Sequence, residues 1–215
     1  MLDTMPLSHP VGCWVINAAC KQAGEWHRAG HDIRIGINLA PSLFHTHDLP
    51  GIVAGALKAA NIPPSLIELE VTEGIILEDN EKTAAILREI RQAGVAIAFD
   101  DFGTGHASLT HLKRFPLDRL KIDQSFVRDL TRHQDDGAIV STLIGLGKLL
   151  NLHVTAEWIE DRETADALML MGCGEGQGYH FGRPVPAQEF SRRYLLACKS
   201  ASHPKIASEE ISPAA

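Results

Sequence analysis

The sequence predicts an α/β fold built on a parallel sheet, and three observations carry that prediction. Short β-branched or apolar runs alternate with segments of helical period, six such runs are countable, and each closes on a polar residue. Strand and helix alternating over short loops imply right-handed βαβ crossovers and hence parallel neighbours.

Ser8-His9-Pro10 opens a first helix carrying Val11, Trp14, Val15, Ala18 and Ala19 at helical spacing, with Pro10 tolerated in the first turn. The run Ile33 to Leu39 reads as a strand, followed by a helix from about Leu49 with Asp48 as its cap and Pro50 near its start. The cycle repeats with strand Leu66 to Thr72, helix Glu81 to Ala93 ended by Gly94, and strand Val95 to Asp100. Further strands are expected at about 117–122, 153–157 and 174–178, with helices near 135–150 and 161–171 and a last helix over about 187–198. The tail 199–215, polar with two prolines, reads as disordered.

Composition narrows the function. With 215 residues, 45% hydrophobic and 22% charged, the chain can bury a sizeable core. A formal charge of -7 argues against binding a DNA or RNA polymer, which needs a basic face. No apolar run approaches the roughly 20 residues of a membrane span, and no signal peptide is recognisable, so a cytoplasmic setting without membrane insertion is expected. Cys13, Cys20, Cys173 and Cys198 form no CxxC pair and read as four reduced, buried thiols.

A closed (β/α)8 barrel needs eight strands, usually over about 250 residues, so six strands fit either a barrel short of about two or an open doubly wound sheet. Both deliver ligands to the C-terminal strand ends, which here read Asn38, Glu70, Asp100 with Asp101, Lys121, Glu157 and Gln177. Carboxylates crowded at one end raise one another's pKa unless cations neutralise them, and an all-oxygen donor set suits Mg²⁺ or Mn²⁺ rather than Zn²⁺. The adjacent pair Asp100 and Asp101 suggests two metals, the usual arrangement for in-line phosphoryl displacement, with Lys121 orienting water or offsetting developing charge.

Each residue also has a plainer reading. A lone strand-end acid is commonly a cap or solvated loop residue, and the conjunction is what points to chemistry. Gly103 and Gly105 serve either a tight turn or a mobile active-site loop. The eleven His residues show no HxH or HExxH pattern and read as scattered positions, while Trp14 and Trp26 read as core.

The segments Asn38-Leu39-Ala40, Glu68 to Glu73 (ELEVTE), Asp100 to Gly105 (DDFGTG), Lys121-Ile122-Asp123, Ala156 to Glu160 (AEWIE) and Gln177-Gly178-Tyr179 follow one another as do the motifs of EAL domains. The chain therefore resembles the bacterial cyclic-di-GMP phosphodiesterases over about residues 5–198. That resemblance implies a modified (β/α)8 barrel, TIM-like and lacking about two N-terminal strands here, occupying 1–198. It also implies hydrolysis of cyclic di-GMP to linear pGpG with two Mg²⁺ or Mn²⁺ ions.

By the same resemblance, Asn38, Glu70, Asp100, Asp101 and Glu157 are metal ligands, and Lys121 contacts the catalytic water. Gln177 stands at the last strand end, Glu73 holds the DDFGTG loop, and Glu160 is a further acid beside the site. A homodimer, and upstream sensory or GGDEF-type domains, are the implied partners. The Glu-Ala-Leu motif, with its metal-binding Glu and a nearby phosphate-binding Arg, has no counterpart in the sequence and is expected upstream of Met1. That difference keeps a second reading open, a degenerate module that binds cyclic di-GMP or a protein without hydrolysis. Trp158 stands where the family has Gly; strand alternation would turn it outward beneath the helices, and otherwise it narrows the site. His106 replaces a common Tyr.

Overall fold

The computed structural model describes residues 8–45, 48–78, 80–103, 109–132 and 134–195. Compact unit Met1–Arg183 carries the sheet, and Pro184–Ala215 forms a second unit. The strands are β1 (Ile35–Asn38), β2 (Ile67–Thr72), β3 (Ala96–Phe102), β4 (Arg119–Ile122), β5 (His153–Ala156) and β6 (Glu175–Gly176). All pair in parallel in sequence order, β1 to β6, which is the half-barrel arrangement rather than a doubly wound sheet with reversed order. Among the described residues, β1 and β6 remain its two edges.

The helices are α1 (Ser8–Arg28), α2 (Ser42–His45), α3 (Leu49–Ala60), α4 (Glu73–Glu78), α5 (Asn80–Gln92), α6 (Leu109–Arg114), α7 (Gln124–Val127), α8 (Gln134–Leu150) and α9 (Arg162–Leu170). In the second unit, α10 (Ala187–Phe190) runs into one π turn, Ser191–Leu195, where Phe190 packs on Tyr194 with ring centroids 5.1 Å apart. Residues 196–215, including Cys198 and the expected tail, lie outside the described set.

Strand alternation divides the sheet into two chemically different faces. Ile37, Leu69, Ile97, Phe99, Leu120 and Val154 are buried in one apolar core with Ile16 of α1, Val53 of α3, Leu87 and Ile90 of α5 and Ile144 of α8. Burying each such side chain contributes about 1.5–3 kcal/mol. The residues between them on the strands are Gly36, Glu68, Glu70, Arg119, Lys121 and Thr155, and all six line a cavity of about 650 Å³ on the opposite face.

The structure corrects three expectations. Trp14 and Val11 are exposed, at 69% and 49%, and Trp26 is half-buried; the buried residues of α1 are Ile16, Cys20, Ala23 and Gly24. Small residues beside Ile16 mark the packed side: a Cβ on Gly12 would lie 2.8 Å from Leu43 of α2, and one on Gly24 2.9 Å from the Ala60 carbonyl of α3. Asp48 does not cap α3 with its side chain; its backbone carbonyl accepts from Ile52 at 2.9 Å, and its carboxylate folds over Gly51. Of the cysteines, Cys20 is buried, whereas Cys13 and Cys173 are partly exposed. Burial pushes the Cys20 thiol up to about 11. Among the described residues, no helix is long and apolar enough to cross a membrane.

Candidate active site

The geometry of the site starts from a break in strand regularity. Consecutive strand residues point to opposite faces, so Asp100 and Asp101 would normally diverge. The pairing of β3 with β4 slips between Phe99 and Phe102, and Asp101 takes a left-handed backbone, φ 55°. The bulge brings both carboxylates to one side, which is how such irregularities re-aim side chains beside functional sites. Phe99 and Phe102 anchor its ends by an edge-on contact, centroids 5.3 Å apart. At Gly103 (φ 102°), a Cβ would lie 2.8 Å from the Phe126 ring, so the chain passes too close there for any larger residue. Residues 104–108, including Gly105 and His106, lie outside the described set.

Asp100, Asp101 and Glu157 offer one carboxylate oxygen each within 4.8 Å of one another. Lys121 reaches from β4 into the same group: its Nζ lies 2.6 Å from Glu70, 2.7 Å from Glu157 and 2.9 Å from Asp100. The last of these is a charge contact off the hydrogen-bonding direction, since Asp100 Oδ1 lacks a hydrogen-bond partner among the described residues. Glu70 finds room because neighbouring β1 carries Gly36, the register partner of Glu68, where a Cβ would fall 2.3 Å from Glu70 Oε1.

Burial raises the pKa of Glu70 and Glu157, against the lowering effect of Lys121, and Asp100 raises both further. Burial also raises Asp101, reinforced by the charges of Asp100 and Asp123. For Lys121, burial disfavours the charge, but hydrogen bonds to Glu157 and Glu70 outweigh it and hold the ammonium protonated.

The remaining expected site residues are placed as follows. Asn38 ends β1 in register with Glu70 and is exposed, with no contact to the carboxylate group described. Glu73 opens α4; it is 8% exposed, and neither carboxylate oxygen has a partner among the described residues. Glu160 is exposed beside a second cavity of about 180 Å³ that Glu157, Trp158, Gln177 and Tyr179 also line. Gln177 lies one residue beyond β6 and borders both cavities.

Trp158 is neither outward-packed nor buried beneath helices. Strand β5 stops at Ala156, so its alternation does not extend to residue 158; there φ turns to 56° and the indole is 49% exposed in the small cavity. A left-handed backbone costs a bulky residue roughly 1–2 kcal/mol, a cost Gly would not carry.

The sequence reading passed over two features. Asp123 caps α7 by accepting from Ser125 at 2.9 Å and acts on Asp101 from there. Toward the N-terminal strand ends, Arg119 donates to Glu68 at 2.9 Å, to Thr155 at 2.6 Å and to Glu175. The period-two placement of Glu68 with Glu70 and of Arg119 with Lys121 on neighbouring strands was the available signal.

The EAL domain family profile matches residues 1–184. The chain belongs to the EAL domain family. The bifunctional diguanylate cyclase/cyclic di-GMP phosphodiesterase MucR of Pseudomonas aeruginosa is 41% identical over 180 residues, covering 83% of this chain and 26% of that protein. A structure titled as the MucR phosphodiesterase with c-di-GMP superposes with a TM-score of 0.80 at 40% identity, over 84% of this chain and 74% of that one. The EAL domain of Mycobacterium smegmatis DcpA gives a TM-score of 0.83 at 35% identity, over 89% of this chain and 86% of that one. A manganese and cyclic-di-GMP complex of Klebsiella pneumoniae BlrP1 gives 0.75 at 31% identity, over 82% and 45%. The EAL chain spans about a quarter of the length of the curated relatives it matches, 23% and 26% of the first two. Its fold is the α/β, TIM-barrel type of that family, carried by a six-stranded parallel half-barrel.

Proposed function

We propose that this EAL chain is a bacterial, cytoplasmic cyclic-di-GMP phosphodiesterase that hydrolyses cyclic di-GMP to linear pGpG. The observation that carries the reading is the convergence of Asp100, Asp101 and Glu157 within 4.8 Å, with Lys121 in contact with two of them. An oxygen-only set in which burial pushes Asp101 and Glu157 up in pKa favours a divalent cation and fits Mg²⁺ or Mn²⁺. Asp100, Asp101 and Glu157, joined by Glu70 and Asn38, would hold two such ions. Bound there, they supply charge neutralisation at the phosphodiester and a more acidic water.

The chain's own residues do the rest. Lys121, held protonated, donates to the attacking water and offsets the negative charge that grows on phosphorus oxygens as the P–O3′ bond breaks. Gln177 orients substrate, a role supported by its position bordering both cavities, with Glu160 on the rim of the smaller one. Glu73 is buried, and neither carboxylate oxygen has a partner among the described residues, which supports the reading that it accepts from the DDFGTG loop and so holds Asp100 and Asp101 in position. We extend the domain to residues 1–198, and the family relationship supports a homodimer and upstream sensory or GGDEF-type domains in a longer protein.

The test is chromatographic detection of pGpG after incubating the 215-residue chain with cyclic di-GMP and Mn²⁺, with EDTA as control. EDTA-sensitive product, lost in Asp100→Asn, is the expected result; metal-independent turnover or an active Asp100→Asn variant would overturn the reading. One observation favours binding without hydrolysis: the Lys121 ammonium already neutralises three of the carboxylates that must accept metal. Nucleotide binding by calorimetry with no pGpG formed under Mn²⁺ would select that second reading.

A further inference from the structure

Trp158 is held in a conformation its side chain disfavours, immediately beside Glu157, and residues persist in such conformations mainly where the surroundings over-determine them. The surroundings here are explicit. Backbone hydrogen bonds run from Gln177 to the Ala156 carbonyl (2.8 Å), from Ile159 to the Gln177 carbonyl (3.0 Å) and from His180 to the Ile159 carbonyl (2.9 Å). Gly178 lets the two segments touch, since a Cβ there would lie 2.1 Å from the Ile159 carbonyl oxygen. This ladder sets Trp158 and Tyr179 on one frame, with ring centroids 6.4 Å apart and planes inclined at 46°.

Both rings are accessible, at 49% and 43%, and both line the small cavity with Glu157 and Gln177. Arg183 covers one face of Tyr179 from 4.3 Å, which leaves that ring electrostatically engaged and the Trp158 indole the freer of the two. A flat ring sandwiched between two others needs centroids about 7 Å apart, twice the roughly 3.5 Å contact distance. The observed 6.4 Å is close to that value, and a parallel sandwich needs the exposed indole to turn through the 46° by which the planes are now inclined. The chemistry that fits is a planar heterocycle attached to a phosphodiester that reaches the carboxylates.

We propose that Trp158, paired with Tyr179, is a stacking platform for a guanine base of cyclic di-GMP, making Trp158 a substrate-binding residue particular to this chain. The inference rests on the reading of the site as one for that nucleotide. Base stacking on an aromatic side chain tolerates tilt and sequence and adds affinity without a hydrogen-bonding code. The indole adds it at a position where a glycine would leave the cavity open.

The experiment is titration of cyclic di-GMP in EDTA, followed by calorimetry and by tryptophan emission in a Trp14→Phe, Trp26→Phe background that leaves Trp158 as the sole indole. Quenching of Trp158 at saturation, about tenfold weaker binding in Trp158→Gly, and recovery to within about threefold in Trp158→Phe are expected. Gly relieves the backbone at this position, so loss of binding there cannot be charged to misfolding, and unchanged thermal unfolding verifies it. Calorimetric binding with unquenched emission, or equal affinity in Trp158→Gly, overturns the stacking role and leaves the nucleotide site standing. Absence of binding in the parent chain overturns both.

Discussion

Lys121 Nζ lies 2.7 Å from Glu157 Oε1 with the two side chains only 5% and 11% exposed. The same nitrogen serves Glu70 and Asp100, so one buried ammonium balances three carboxylates. Removing one partner of a buried ion pair leaves uncompensated charge and costs about 3–5 kcal/mol. Lys121→Met should therefore lower the metal-free unfolding free energy, read from urea denaturation, by that order, and saturating Mn²⁺ should restore part of it by binding the folded state. A Lys121→Met midpoint equal to the parent's in EDTA would show that the carboxylates are not held by this lysine.

Metal affinity should depend on pH more steeply than ordinary carboxylates would dictate. Glu70, Glu157 and Asp101 have raised pKa values in the folded chain, from 4.5, 4.5 and 3.8 respectively. A carboxyl so raised binds protons better folded than unfolded, so its contribution to stability is present at acid pH and lost as pH rises through the raised value. Lys121, also raised, contributes fully below 10.5 and loses that contribution as pH rises from there through its raised value. Because bound metal needs deprotonated ligands, Mn²⁺ should displace protons and its Kd should weaken while pH is still above 4.5. Calorimetry in buffers of different ionisation enthalpy reads the proton count directly; zero release just above pH 4.5 would contradict the raised values.

Much of this architecture is legible in the sequence because parallel strands announce themselves by apolar runs and end in polar residues. Asp100, Glu157 and Lys121 were found that way. The exposed side of α1 was misread because size was taken for burial, when Gly12 and Gly24 make the close approaches. Of the two placements offered for Trp158, the outward one fails because it carried strand period two residues past the end of β5. The bulge that turns Asp101 beside Asp100 has no local signature, since Asp tolerates a left-handed backbone without requiring it.

The lower layer of charge on the sheet should be as consequential for stability as the upper one. Arg119 is 6% exposed and satisfies Glu68, itself 7% exposed, together with Thr155. Arg119→Met strands the Glu68 carboxylate beside only Arg34 at 3.5 Å and should cost about 3 kcal/mol. Arg91→Ala, which breaks a solvent-facing pair with Asp118, should cost no more than about 1 kcal/mol. Chemical denaturation of both variants separates buried from exposed pairing; equal losses would refute the distinction.

Two glycine-to-alanine changes test whether the open face of the sheet is shaped around Glu70. At Gly36 a methyl would lie 2.3 Å from Glu70 Oε1, while Oε2 of the same carboxylate is held by Lys121, so the side chain must leave its partner to make room. Gly36→Ala should cost about 1–3 kcal/mol by overpacking and should weaken Mn²⁺ binding through the displaced Glu70. Gly55, exposed in α3, meets nothing within 4 Å, and Gly55→Ala should stabilise by about 0.5–1 kcal/mol through helix propensity. Thermal unfolding with and without Mn²⁺ distinguishes the cases: the Gly55 variant keeps its metal-induced shift, whereas the Gly36 variant loses part of its own. A full metal shift in Gly36→Ala would mean that Glu70 does not contribute to the ion site.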